Sequence, residues 1–313
     1  MADPKEKQNC RDLDDDAAVA LLATKRRKRE PLRIGLLGCG TINSTVAKMI
    51  ANKEAGPAVL TAVLVRKERS KEELQSLLPS ECHTSTDATL PSITTEVDEF
   101  FSTNSNWSLC IEAAGQPAVK QYGKRCLEMG RDLMITSIGS LTDDALYEDL
   151  RATAEANGSR LILCTGSMPA VDWMGSAALD DCTEVKVTQI KPPKAWLGTP
   201  AEADHPDLLN ITEPLILFEG SSRNAASIFP KNANVAAMLA LATAGLDETR
   251  ASLVADPNAT GNRVELSFLG AAGKIKVQVE AAPSKTNPRT SAIVALSVIK
   301  AVRKLCCPVV VGL

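Results

Sequence analysis

The sequence predicts an α/β protein: a doubly wound parallel sheet, followed by a second α+β domain that carries an open mixed sheet. Three observations predict it. From Leu32 onward short apolar runs alternate with helical patterns, as they do in a parallel sheet with crossover helices. A glycine turn separates the first of these runs from the first helical pattern. After Asp172 the pattern changes to strands that alternate apolar and polar residues with period two, as in a sheet with one covered face.

Residues 1–30 precede this pattern and are read as a solvated, mobile tail. "DLDDDAAVALLATKRRKRE" places acids at the start and bases at the end of a short helical stretch, an arrangement that suits the helix dipole. A nuclear signal or a patch for anionic surfaces is the alternative reading of the basic run 25–29. Strands are expected at 33–37, 59–65, 109–113, 132–136 and 160–164, with a first helix over 43–52. Three of the strands run into small or hydroxyl residues: "EAAGQ" (112–116), "TSIGS" (136–140) and "CTGS" (164–167). In a doubly wound sheet ligands bind outside the carboxyl ends of the strands, so these loops are expected to line one crevice. In the second half, strands are expected at 184–190, 263–269 and 274–280 and long helices at 233–244 and 290–305. The resulting division is a tail (1–30), a Rossmann-type dinucleotide-binding domain (31–170), a substrate and dimerisation domain (171–287) and a C-terminal helix packing back on the first domain (288–313). The sheet of the second domain leaves one face to cover, which predicts a homodimer.

The 313 residues are 44% hydrophobic and 23% charged, with a net charge of −3. No basic stripe is present to neutralise a phosphate backbone, which argues against nucleic acid as a partner and for a small-molecule substrate. There is no secretory h-region near Met1 and no apolar run long enough to span a bilayer, so no membrane association is expected and the cytoplasm is the expected location. None of the nine cysteines is spaced as C-x-x-C. They read as reduced thiols, and no metal site is expected.

The glycine turn is Gly38-Cys39-Gly40-Thr41-Ile42-Asn43, G-x-G-x-x-N where a dinucleotide fingerprint has a third glycine. Gly38 permits the tight turn. Gly40 lets the backbone approach a pyrophosphate where Thr41 and Ile42 open the helix. Asn43 gives up some closeness between helix and strand without removing the phosphate site, and a glycine turn with no ligand is the bland alternative. Past the second strand the chain reads "TAVLVRKERSKEE", with Arg66, Lys67 and Arg69 where an acid for the ribose of NAD is sought. That favours NADP over NAD, against the alternative of solvated loop charges. Ala113, Ala114 and Ser137 in the small-residue loops complete the expected cofactor site, and Thr165 and Ser167 fall on the substrate side.

Six blocks in order give the chain a family resemblance: "IEAAGQPAV" (111–119), "SIGSLTDD" (137–144), "KPPKAWLGTP" (191–200), "LFEGSSRNAASIFPKNANVAAMLALA" (217–242), "ADPNATGNRVEL" (255–266) and "PSKTNPRTS" (283–291). Over residues 33–305 it resembles the aspartate dehydrogenases. The resemblance implies a Rossmann domain that binds NAD or NADP and a reversible conversion of aspartate to iminosuccinate, then to oxaloacetate and ammonia.

Two departures stand out. Where the family has Ser-Gly-Ala-Ile-Gly-Gly-x-Asp, this chain has residues 165–172 as "TGSMPAVD", keeping Asp172 while Pro169 stiffens the loop. Where the family has Asn-x-His, it has Asn262-Arg263-Val264, so the place of the family's catalytic histidine holds Val264. The remaining acid/base candidates are Asp172, Lys191, which suits orienting a substrate carboxylate equally well, and His205, for which a solvated loop histidine is the favoured reading, while His83 reads as a surface residue. Asn234 is expected to bind substrate, beside Val264, as is Arg223 through a bidentate contact with a carboxylate, with bracing of its loop the equal alternative. The reading that follows is an NADP-dependent oxidoreductase moving hydride between NADPH and an amino acid or its imine, with a substrate diverged from L-aspartate. Imine reduction survives the loss of a strong protein base better than hydrolysis does. The alternatives are cyclisation or isomerisation on the same scaffold, and a catalytically silent NADPH-binding protein.

Overall fold

Leu32–Leu37 is apolar along nearly its whole length, which suits a strand buried on both faces, and it forms β1 at the centre of a sheet. The computed structural model describes residues 30–67, 72, 78, 80, 90–102, 104–282, 284 and 291–312. The expectations placed on residues 1–29, on Arg69 and His83, and on most of the 283–291 block lie outside those described.

The first sheet adds β2 (Ala58–Leu64), β3 (Ser92–Thr94), β4 (Leu109–Glu112), β5 (Asp132–Ile135) and β6 (Leu161–Leu163). All pairs are parallel and the order is β3-β2-β1-β4-β5-β6. The strand order reverses between β1 and β4, where a doubly wound sheet opens its ligand crevice. The crossovers include α1 (Thr41–Ala51), the single turn α2 (Val97–Phe100), α3 (Gln116–Glu128) and α4 (Asp144–Asn157). Pro117 sits in the first turn of α3, and α4 runs from the capping carboxylate of Asp143 to Gly158 in the left-handed region (φ +64°).

The second sheet follows α5 (Val171–Ala177) and contains β7 (Cys182–Lys191), β8 (Leu215–Ser221), β9 (Arg250–Ala255), β10 (Asn262–Gly270) and β11 (Gly273–Ala281). Its order is β11-β10-β7-β9-β8, with β7 and β9 parallel and the other pairs antiparallel. The helices α6 (Pro200–Asp204), α7 (Ser222–Ile228) and α8 (Ala233–Ala242) lie between its strands, and α9 (Ile293–Cys306) follows them. Period-two alternation foretells β7, β10 and β11. It misses β8 and β9, because β9 is an inner strand with most of its residues buried and so shows no alternation. The expected helix 233–244 ends at Ala242, where Thr243 leaves helical geometry (φ −135°, ψ −110°).

Ala295, Val298, Ile299 and Val302 of α9 recur at helical spacing and share one core with Ile34, Leu36 and Val46 of β1 and α1. Arg303 also donates to the carbonyl of Glu54 (3.2 Å). The face of the second sheet opposite Gln189 and Val264 carries Lys186, Thr188, Glu265, Ser267, Lys276 and Gln278. That stretch is polar, and farther along the same face Leu269 and Ile216 are exposed.

Candidate active site

The β1–α1 turn leaves space at one glycine and none at the other. Gly38 has φ +83°, and a Cβ there would meet the Cβ of Ala114 at 3.0 Å. Gly40 has an ordinary φ of −85°, yet a Cβ on it would meet nothing within 4 Å. That open cradle lies where α1 begins at Thr41, with no side chain capping its first N–H groups and no acid in its first turn. The donors and dipole of such a terminus suit a phosphate, so the turn fits a dinucleotide. The N–H of Gly38 donates to the carbonyl of Leu64 (2.8 Å), which draws the end of β2 to the turn. Arg66 and Lys67 follow that contact, exposed and in no ion pair with a described residue.

Asn43 does more than the sequence suggests. Its side chain is fully buried and its Nδ2 donates to the carbonyls of Leu37 (3.0 Å) and Gly38 (2.9 Å), with Ile111 at 3.4 Å. The amide therefore clamps the turn to β1 and β4, replacing the close packing of a third glycine.

A cavity of about 350 Å³ lies between the carboxyl ends of the parallel strands and the inner face of the second sheet. Ile42, Ala113 and Ser137 line it from the first sheet, and Thr165 and Ser167 from the loop after β6. Gln189, Lys191 and Val264 line it from the second sheet, and Asn232 and Asn234 from the start of α8. Eight of the sequence-predicted residues thus share one wall: Ile42, Ala113, Ser137, Thr165, Ser167, Lys191, Asn234 and Val264. Gly38, Gly40 and Thr41 belong to the neighbouring turn, and Ala114, after β4, packs against Gly38. Val264 is buried between Gln189 and Val279 of the adjacent strands, so an apolar side chain occupies its part of the wall.

Lys191 ends β7 with its Nζ on the Oδ1 of Asn232 and 5.0 Å from the centre of the Trp196 ring. No carboxylate among the described residues pairs with it, and burial pulls its pKa down to about 8. Arg263 is also at the cavity, but its guanidinium is held by Glu265 (3.2 Å) and Asp256 (3.5 Å). Asn234 spends its Oδ1 on the N–H of Gly139 (2.9 Å), joining the segment after β5 to α8.

Three expected residues lie elsewhere. The carboxylate of Asp172 is on the first turn of α5 beside Gly312. His205 follows α6 in a turn closed by its N–H on Ala201 (3.0 Å) and its carbonyl on Leu208 (2.9 Å). Arg223 is committed to Asp247 (2.7 and 2.9 Å), Asp144 (3.1 Å) and the carbonyl of Thr142 (3.2 Å); Asp247 and Asp144 raise its pKa, and its guanidinium in turn holds that of Asp247 low. It braces α4 against the start of α7 rather than facing the cavity.

Sequence reasoning missed Glu112. This carboxylate is fully buried at the end of β4. Its Oε1 accepts from Ala114 N (2.7 Å), Gly115 N (2.8 Å) and Ser137 Oγ (2.9 Å), and its Oε2 from Ser137 N (3.2 Å). Burial raises its pKa while these donors pull the other way. An acid closing the apolar run "LCIE" was the available signal.

A doubly wound sheet with a phosphate cradle at its switch point and a covered cavity beyond it is the arrangement of a dinucleotide-dependent oxidoreductase. Residues 38–163 match the family model of the homoserine dehydrogenase NAD-binding domain, and residues 172–305 match that of the aspartate dehydrogenase C-terminal domain. The L-aspartate dehydrogenase of Cupriavidus taiwanensis is 34% identical over 270 residues, 86% of this chain and 96% of that protein. That of Methanosarcina barkeri is 34% identical over 282 residues, 90% of this chain and 99% of that protein. That of Ruegeria pomeroyi is 41% identical over 196 residues, 63% and 71% of the two chains. The solved aspartate dehydrogenase of Thermotoga maritima shares the fold, with a TM-score of 0.68 at 22% identity over 90% of this chain and 99% of that one. The chain belongs to the aspartate dehydrogenase family and is a nicotinamide-dependent oxidoreductase.

Proposed function

We propose that the protein binds NADPH in preference to NADH and moves hydride between it and a small acidic amino acid or the corresponding imine, with imine reduction the favoured direction. The observation that carries this reading is Lys191, a cation without a carboxylate partner among the described residues, in a cavity at the carboxyl ends of the strands. A substrate carboxylate supplies what Lys191 lacks, through a charge-assisted hydrogen bond, and the relatives named as L-aspartate dehydrogenases act on a substrate of that kind.

Gly38, Gly40 and the first turn of α1 would hold the pyrophosphate, and Arg66 and Lys67 the 2′-phosphate. Ala113 and Ser137 would flank the nicotinamide, which supplies or accepts the hydride when bound. The second sheet supplies one wall of the cavity. Below a pH of about 8 Lys191 is protonated, so it orients the substrate carboxylate and has a proton to give to a nascent amine nitrogen. Val264 offers no proton and no acceptor. Activation of water for imine hydrolysis is therefore the step most weakened, and hydride transfer to a preformed imine the least.

Titration calorimetry with NADPH and NADH on wild type and Arg66→Asp tests the cofactor half of this reading. Each charge-assisted phosphate contact is worth roughly tenfold in affinity, so wild type should prefer NADPH by about that factor or more and the variant should lose the preference. Equal affinities in the wild type contradict it.

A further inference from the structure

Glu112 is a buried titratable group that the chemistry above does not use. Its side chain is not needed to join β4 to β5: the N–H and Oγ1 of Thr136 already donate to its backbone carbonyl, both at 3.1 Å, and any residue at this position would supply that carbonyl. The carboxylate is a separate device. Three of its four donors are backbone N–H groups, which give the O–H of a protonated acid no acceptor and suit an ionised, acceptor-only carboxylate. Among the described residues no cation pairs with it, so dipoles alone hold the charge and nothing cancels its field. That field acts through protein rather than water, where charges are felt more strongly. Gly115 and Ser137, which hold the carboxylate, also line the cavity.

We propose that Glu112 is an electrostatic positioning residue: its ionised carboxylate, one hydrogen bond behind the cavity wall, favours the positively charged oxidised nicotinamide over the neutral reduced ring and so makes bound NADPH a stronger hydride donor. The inference rests on the nicotinamide reading of the cavity and deepens it by assigning a direction. In imine reduction a hydride passes to the imine carbon, the carbon–nitrogen π bond breaks as nitrogen takes a proton, and a positive charge is left on the nicotinamide. A fixed negative charge stabilises that product and the transition state leading to it without having to reorganise. The same carboxylate presets the two small-residue loops against which the ring would lie.

The test is a set of dissociation constants for NADP+, NADPH, NAD+, NADH and ADP-ribose on wild type, Glu112→Gln and Glu112→Asp, with thermal melting as the check on folding. In Glu112→Gln the oxidised dinucleotide should weaken about tenfold more than the reduced one, as expected when a single charge interaction is lost, while ADP-ribose binds as in the wild type. Glu112→Asp keeps the charge and should keep the wild-type ratio. A purely structural role would weaken both redox forms equally in Glu112→Gln, and that result overturns the proposal. So does a wild type that binds the reduced dinucleotide tenfold more tightly than the oxidised one, a comparison that holds even if Glu112→Gln fails to fold. Failure of the cofactor reading looks different, since wild type would then bind none of the dinucleotides, and the inference would fall with it.

Discussion

Lys191 shows how burial turns an ordinary side chain into a titrating one. Its pKa of about 8 follows from loss of water around the ammonium, with the amide of Asn232 and the ring of Trp196 as its neighbours instead of a carboxylate. Two consequences of opposite sense follow. The charge that would hold a substrate carboxylate is present below pH 8 and lost above it, so KM for an anionic substrate should rise as pH passes through about 8. In Lys191→Met, KM should be high and flat with pH. A wild-type KM that does not change between pH 7 and 9 contradicts the assignment. Stability moves the other way. The folded chain binds fewer protons at Lys191 than the unfolded chain between about 8 and the ordinary value of 10.5, so this group's contribution to stability increases as pH rises through that window.

The β1–α1 turn separates what a strand–helix junction needs to fold from what it needs to bind. Gly40 has an ordinary φ and free space around it, so Gly40→Val should melt near the wild-type temperature while losing dinucleotide binding, because the branched side chain fills the phosphate cradle. Binding retained by a folded Gly40→Val would place the phosphates elsewhere. Gly38→Ala should do the reverse and destabilise the fold by about 1–3 kcal/mol, since φ is +83° and Ala114 is 3.0 Å from the added atom. The glycine motif, the parallel strands and the small-residue loops were legible in the sequence because each is a local pattern with one physical cause. The roles of Asn43 and Glu112 were not, because a buried polar side chain declares itself only through the partners the fold turns towards it, Leu37 and Gly38 for the one and Ala114, Gly115 and Ser137 for the other. Arg223 stayed open between substrate and bracing for the same reason: nothing local in "EGSSRNAA" shows that Asp144 and Asp247 already hold it. Strand β9 escaped notice because an inner strand, mostly buried, loses the alternation that marks an outer one, and the edge strand β8 shows no regular alternation in its burial.

At the level of the molecule, two sheets meet over one cavity and α9 returns to the first of them. The inner face of the second sheet supplies Gln189, Lys191 and Val264, while the stretch of its outer face carrying Lys186, Glu265 and Lys276 is polar. Two copies paired there would meet through hydrogen bonds and mixed charge, such as that of the Lys186–Glu219 pair (3.0 Å), rather than through a dry apolar patch. The cavity wall joins a lysine that titrates near neutrality to a valine that does not titrate at all. In the proposed function this combination would favour delivering hydride and a proton to a preformed imine over making or hydrolysing one. Steady-state turnover measured in both directions tests it most directly: NADPH oxidation with a panel of cyclic and acyclic imines, beside NADP+ reduction with L-aspartate. NADPH oxidation should be brisk with at least one acidic imine, and aspartate oxidation should lag a histidine-bearing relative by the roughly 10²- to 10⁴-fold that one positioned acid/base supplies. Aspartate oxidation as fast as in such a relative would contradict the assignment.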